Sequence, residues 1–238
     1  MNAKTLFETE AQKFDNVIPL LIPFYSEIYN ILIDSIPFYR NTSIKILDIG
    51  CGTGTFAKIL KEKFPHAKIT CLDFAKNMIE VAKAKLINYK EDVDFLVGDF
   101  NDLNIKNEYD VIVSSFALHH IQTDSEKLQL YKNIYEALNK NGVFLTADIV
   151  LGVNNYIRNL YEKKWEEHMI KQFNKNRLKS KILERYQADD NPSKLFDHLK
   201  WLENSGFNQI ETIWKYYNFA IFGGYKINKK DGNELRAM

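Results

Sequence analysis

The sequence predicts an α/β protein built on a doubly wound, mostly parallel β-sheet. Short apolar β runs alternate with helical patterns from residue 44 to residue 150. A glycine-rich turn joins the first of these runs to the first helical pattern. The last two β runs, 209–214 and 218–225, stand only three residues apart, which allows a hairpin but no parallel crossover. We therefore expect a sheet that ends in one antiparallel strand.

The parallel part of the sheet is predicted to contain five strands, each a short run of apolar and β-branched residues. Apolar residues at helical spacing fill the intervals between them, which is typical of helices on both faces of the sheet. The five predicted strands are residues 44–49, 68–73, 93–99, 109–115 and 142–150.

The helix before the fifth predicted strand has a signal at each end. Thr123 and Glu126 have the spacing of a capping box. Gly142 is predicted to lie just past the C-terminal end of this helix. A long polar and aromatic helical stretch then covers 153–187, and a last helix over 194–204 precedes the hairpin.

Composition limits the classes of function. The chain has 238 residues with 45% hydrophobic content, so we expect one domain over residues 1–238. The net charge of +1 gives no reason to expect a nucleic-acid partner. No apolar run is long enough to predict a membrane span. Cys51 and Cys71 are predicted to be free thiols, and these features together predict a cytoplasmic protein.

The glycine-rich turn predicts a ligand site. Gly50, Gly52 and Gly54 follow the first strand, at the sheet edge where open α/β sheets bind ligands. Glycine lets the backbone turn tightly and approach a ligand, and the next helix offers free N–H groups. Asp73 ends the second strand, where a carboxylate can accept hydrogen bonds from ribose hydroxyls. A dinucleotide site is disfavoured because Thr55 stands where its third glycine belongs.

The segment LDIGCGTG (47–54), with Asp73, Asp99 and the terminal hairpin, resembles the class I S-adenosylmethionine (SAM) dependent methyltransferases. The resemblance implies seven strands in the order 3-2-1-4-5-7-6, with strand 7 antiparallel, and SAM as cofactor. By the same resemblance the glycine turn holds the methionine part of SAM, and the two aspartates bind ribose and adenine. The implied cofactor-binding residues are Tyr25, Asp48, Gly50, Cys51, Gly52, Gly54, Asp73, Phe74, Met78, Asp99, Phe100 and Ser115.

Residues 14–32 resemble the lead-in of the carboxy-SAM synthases, relatives that act in tRNA wobble-uridine modification. By that resemblance Tyr25 reaches over the cofactor. Those enzymes hold the extra carboxylate with an arginine, and Trp201 stands at that position here. We therefore expect ordinary SAM, with a carboxy-SAM synthase-like enzyme and a non-catalytic SAM-binding protein as alternatives. Under the first alternative Arg158, Arg185 or Lys200 would supply the cation.

Histidines offer the other candidate chemistry. His119 and His120 follow the fourth strand, where an imidazole can act as general base, although a packing or capping role is the alternative. His66, His168 and His198 lack metal-ligand spacing, so no metal site is predicted.

Residues 1–40 and 151–195 are predicted to form a helical lid. Within it, Arg158 or Arg185 can meet an anionic substrate. The sequence therefore predicts a methyltransferase that acts on a small molecule, anionic or aromatic, and leaves a homodimer open. The lid aromatics that can contact this acceptor are Tyr156, Tyr161 and Trp165.

Overall fold

The computed structural model of the protein describes residue 11 and residues 14–99, 108–172 and 190–227. Seven strands in these residues form one sheet. The strands are β1 (Lys45–Ile49), β2 (Lys68–Asp73), β3 (Val93–Val97), β4 (Tyr109–Ser115), β5 (Leu138–Ile149), β6 (Asn208–Tyr216) and β7 (Phe219–Tyr225).

Helices cover both faces of the sheet. None of the described helices is by itself long and apolar enough to span a membrane. One pair, α1 with α2, passes that test only by combined length and composition, with a bend of 88° between the two helices. The helices are α1 (Phe14–Leu21), α2 (Tyr25–Asp34), α3 (Thr55–Lys63), α4 (Lys76–Lys85), α5 (Asp124–Ala137), α6 (Asn155–Gln172) and α7 (Leu195–Asn204).

The strand order is β3-β2-β1-β4-β5-β7-β6, which confirms the predicted fold class. β1 pairs in parallel with both β2 and β4, so the strand order reverses between β1 and β4. β7 pairs antiparallel with β5 and with β6. The glycine turn after β1 therefore lies at the switch point, where sheets of this kind bind ligands.

Successive residues of the central strands point to opposite faces of the sheet, as the pleat requires. Ile46 and Val111 belong to a core cluster under α2, α3 and α6. Leu47 and Ile112 belong to a second cluster under α5 and α7. Because both faces are covered, the central strands are mostly apolar on both faces rather than alternating in polarity.

The capping box is confirmed at the start of α5, but the prediction for its other end is wrong. The helix ends at Ala137, and Leu138 is already extended and pairs with Tyr109 of β4. Gly142 therefore lies within β5. A Cβ atom there would come within 2.9 Å of the Asn139 carbonyl oxygen, so this glycine permits a close backbone approach.

Candidate cofactor site

Gly52 leaves an open space in the turn after β1. It has a positive φ of 54°, which glycine adopts without strain. A Cβ atom added to Gly50 would lie 2.3 Å from the Ala117 Cβ, and one added to Gly54 would lie 2.9 Å from the Ala82 Cβ. A Cβ atom added to Gly52 meets no described atom within 4 Å. The lack of a side chain at Gly50 and Gly54 thus lets Ala117 and Ala82 pack closely against the turn. Gly52, in contrast, borders an open space.

Asp73 ties the end of β2 to the glycine turn. Its carboxylate accepts a hydrogen bond from the Gly52 amide at 2.9 Å and another from the Ala75 amide at 2.8 Å. An ionised carboxylate only accepts hydrogen bonds, which suits it to bind donors such as ligand hydroxyls. The carboxylate is therefore placed where the turn meets the open space.

Asp48 lies beneath the turn as a buried carboxylate. It is 0% exposed, and neither of its oxygens has a hydrogen-bond partner among the described residues. Burial, and then the charge of Asp73, raise the pKa of Asp48 to about 7. An unpaired carboxylate in an apolar interior costs free energy. A cationic ligand group beside Asp48 would remove that cost.

Two tyrosines of α2 approach the same region. The hydroxyl oxygens of Tyr25 and Tyr29 are 2.7 Å apart, and the ring of Tyr29 stacks on Phe56 of α3. Burial raises the pKa of Tyr25 to about 12, so its hydroxyl stays protonated and can donate a hydrogen bond. Ser115, at the end of β4, lies beside the Tyr29 hydroxyl.

A clamp formed by Asp15, Thr53, Thr55 and Lys85 fastens α1 across the glycine turn. Asp15 accepts hydrogen bonds from Thr53 at 2.5 Å and from Thr55 at 2.9 Å. Lys85 of α4 donates to Asp15 at 2.7 Å and to Thr55 at 2.6 Å. Sequence analysis missed this clamp, because Asp15 has no pattern that links it to residues about 40 positions away.

A family model described as a methyltransferase domain matches residues 46–142, from β1 into β5. The carboxy-SAM synthase of Nautilia profundicola is 27% identical over 92% of this chain and 93% of its own length. That of Campylobacter lari is 27% identical over 91% of this chain and 92% of its own length. The domain match, the two full-length relatives and the strand order together support a class I SAM-dependent methyltransferase. The same comparisons support an enzyme, with SAM as its cofactor.

The fold comparison agrees with these matches. The structure of human N-acetylserotonin methyltransferase superposes with a TM-score of 0.61. It is 19% identical, and the match covers 93% of this chain and 57% of the human chain. At this identity the likeness shows the shared fold alone.

The other residues implied by the family resemblance lie in varied surroundings. Cys51 is buried in the glycine turn, next to the thiol of Cys71. Phe74 packs against the core cluster under α5 and α7. Met78 is buried with Phe14 of α1 packed against it. Asp99 is exposed shortly after β3, and Phe100 lies outside the described residues. Their roles toward the cofactor stay predictions.

The two candidate catalytic histidines lie in a polar cluster with two aspartates. His119 Nδ1 is 2.5 Å from Asp148 Oδ1, and His120 Nδ1 is 3.0 Å from Asp190 Oδ1. Burial acts to lower the pKa of His119, but the charges of Asp148 and Asp190 raise it above its ordinary value. Burial lowers the pKa of His120. Asp148 could have been noticed in the sequence, since it is a carboxylate inside an apolar strand.

The packing of Trp201 gives no support to the expectation that its indole faces the group attached to the cofactor's sulfur. Trp201 is on α7, and its ring centroid lies 5.2 Å from that of His198 and 6.5 Å from that of Tyr131. It packs against the core cluster under α5 and α7, so its indole faces helix α5 and the sheet. The preference for SAM over carboxy-SAM that was drawn from this residue stays a prediction.

The three lid aromatics that were predicted to contact the acceptor lie in different surroundings in the structure. Trp165 is buried in the core cluster under α6, and its Nε1 donates to the Leu21 carbonyl at 2.8 Å. Tyr161 accepts a hydrogen bond from Lys215 at 2.8 Å, while Tyr156 is 75% exposed. These three side chains do not form one surface.

Two of the three candidate cations have protein contacts. Arg158 donates to the Gly152 carbonyl at 3.3 Å. The Lys200 ammonium lies 4.4 Å from the centroid of the Phe196 ring. The third candidate, Arg185, lies outside the described residues.

Proposed function

We propose that the protein binds SAM at the glycine turn and transfers its methyl group to a small-molecule acceptor. The observation that carries the proposal is the buried Asp48 carboxylate, which has no described partner and lies beneath the turn that contains Gly52. SAM has an α-ammonium and a sulfonium, and a positive group beside Asp48 would offset the cost of its burial. The donors and acceptors around the turn fit the remaining polar groups of SAM.

Each of these residues has a proposed role in binding. Asp48 accepts a hydrogen bond from the α-ammonium. The free N–H groups at the start of α3, which follows Gly54 directly, favour the carboxylate. Asp73, which the Gly52 and Ala75 amides hold at the end of β2, accepts from ribose hydroxyls. Tyr25 covers the site from α2.

Bound SAM supplies an activated methyl group on its sulfonium. The protein's task is then to position the acceptor and to exclude water. A general base is needed only if the acceptor atom still carries a proton. His119 and His120 remain the candidates for that role.

The covering helices support a small acceptor. The clamp fastens α1 over the glycine turn through Asp15 and Lys85. α6 in turn contacts the end of α1, where Trp165 donates to the Leu21 carbonyl and His168 approaches the Leu20 carbonyl at 3.2 Å. A site closed by these helices is better suited to a small molecule than to a macromolecule.

A second candidate is carboxy-SAM synthesis, the activity for which the full-length relatives are named. The match covers more than nine-tenths of both chains, and the packing of Trp201 gives no support to the argument against it. Carboxy-SAM carries an extra carboxylate on the group attached to sulfur. In a water-poor site that carboxylate needs a cation, for which Arg158 and Arg185 are candidates.

Competition binding separates the two candidates. We expect the purified protein to carry SAM or its demethylated product, identified by mass spectrometry. We also expect it to bind SAM at least tenfold more tightly than carboxy-SAM, because the carboxylates of Asp48 and Asp73 beside the glycine turn would repel the extra negative charge. Tighter binding of carboxy-SAM would contradict this expectation. In that case Arg158→Ala and Arg185→Ala would show which arginine is responsible, with Arg40→Ala as the control, since Arg40 pairs with Asp34 on the surface.

A further inference from the structure

His119, His120 and Asp190 form a cluster of metal-ligand side chains in the loop after β4 and the segment before α7. One ligand atom from each residue lies within 4.8 Å of the other two. His120 Nδ1 is 3.0 Å, and His119 Nε2 is 3.8 Å, from Asp190 Oδ1. Ligands around a tetrahedral Zn²⁺ ion stand about 3.4 Å apart, because each lies about 2.0–2.1 Å from the metal. The observed separations lie on either side of that value.

Asp148 fixes the orientation of one proposed ligand. Its Oδ1 accepts the Nδ1 proton of His119, which leaves Nε2, the nitrogen that faces Asp190, as a lone-pair donor. Metal-bound histidines almost always donate their other ring N–H in this way, to a carboxylate, a backbone carbonyl or a water molecule. Asp148 is 0% exposed and also accepts from the Ile149 amide at 2.8 Å, so its own position is fixed.

The two ligand segments are joined by hydrogen bonds that do not involve the ligand atoms. The Asn191 amide donates to the His119 carbonyl at 2.7 Å. Lys127 of α5 donates to the Asn191 carbonyl, and to Ser193 at 2.7 Å. The ligands are therefore brought together by the surrounding fold, as a site of high affinity requires.

We propose that His119, His120 and Asp190 bind a divalent transition metal, with Zn²⁺ the best match. Two imidazoles and one carboxylate are ligands that Zn²⁺ and Co²⁺ share, and three protein ligands leave one position for water or substrate. The sequence did not predict this site, because Asp190 is 70 positions from its partners and no short spacing joins them. The proposal does not depend on SAM binding at the glycine turn.

Metal titration of the apoprotein tests the proposal. After treatment with a chelator, the wild-type protein is expected to bind one Co²⁺ with a visible absorption band, and Zn²⁺ is expected to displace it. Zn²⁺ at about a hundredfold excess over its Kd should raise the Tm by about 5–10 °C. Absence of both the band and the Tm shift would overturn the proposal, and would leave the cluster as a hydrogen-bonded network only.

Variants locate the metal. His120→Ala and Asp190→Asn should weaken Co²⁺ binding by at least tenfold while the fold persists, since both side chains are about 15% exposed. Asp148→Asn should weaken binding by about 10–100-fold through the orientation of His119. His66→Ala removes an exposed histidine outside the cluster and should change nothing. Equal Co²⁺ binding by wild type, His120→Ala and Asp190→Asn would also overturn the assignment.

Discussion

The Gly52→Val variant is expected to lose SAM binding by more than a hundredfold while the protein stays folded. A side chain at this position points into the space that the proposed ligand occupies, and no described atom lies within 4 Å of its Cβ. The branched residue also resists the positive φ of 54°, at a cost of about 1–2 kcal/mol. That cost is small beside the stability of a domain of this size. Calorimetric titration with SAM, alongside circular dichroism, measures both effects.

Gly206→Ala is the control for backbone strain. Gly206 also has a positive φ, of 106°, but it lies beside Tyr135 at the end of α7, away from the glycine turn. This variant should lose some stability and keep its SAM affinity. Gly50→Ala is less informative, because its Cβ would collide with Ala117 and disturb packing. A folded Gly52→Val protein that binds SAM as the wild type does would remove the glycine turn from the site.

The Asp48→Asn variant is expected to change the pH dependence of stability and to weaken SAM binding. The pKa of Asp48 is raised to about 7, whereas an aspartate carboxyl in the unfolded chain titrates near its ordinary pKa of about 3.8. Between these values the folded protein holds a proton that the unfolded chain has released. This contribution therefore lowers the free energy of unfolding as the pH rises from about 4 to 7, and is constant above that.

Denaturant unfolding at pH 4.5 and pH 8 measures this contribution. As the pH rises from 4.5 to 8, the free energy of unfolding of the wild type should fall by on the order of 2–4 kcal/mol relative to that of Asp48→Asn. The same variant should bind SAM about ten- to a hundredfold more weakly, because a charged hydrogen bond is lost. Asp94→Asn, at an exposed position of β3, should behave like wild type in both experiments. Parallel pH profiles for wild type and Asp48→Asn would show that Asp48 is not held protonated.

Local patterns were enough to predict most of the fold. The doubly wound sheet and its antiparallel last strand follow from the alternation of β and helical runs and from the three-residue gap before the last strand, both properties of short segments. The strand order itself was implied by the resemblance to the methyltransferase family. The capping box at Thr123 is equally local. The predicted start of β5 was wrong because the pairing of Leu138 with Tyr109 ends the helix early. This contact joins residues that are far apart in sequence.

The candidate site was also predicted only in part, because its local features are visible in the sequence and its tertiary contacts are not. The glycine turn and Asp73 lie at strand ends, so topology alone brings them together. The clamp of α1 and the histidine–aspartate cluster depend on tertiary packing, which no short pattern encodes. Trp201 illustrates a further limit. Aligning a position gives no side-chain direction, and this indole points toward Tyr131 and His198 in the core.

A crystal structure with S-adenosylhomocysteine or SAM bound tests the central claim most directly. The account predicts the ligand's α-ammonium within hydrogen-bond distance of Asp48, its ribose hydroxyls on Asp73, and its methionine part against Gly52. Tyr25 should cover the ligand from α2. A ligand bound elsewhere, or bound with Asp48 still without a partner, would contradict the account.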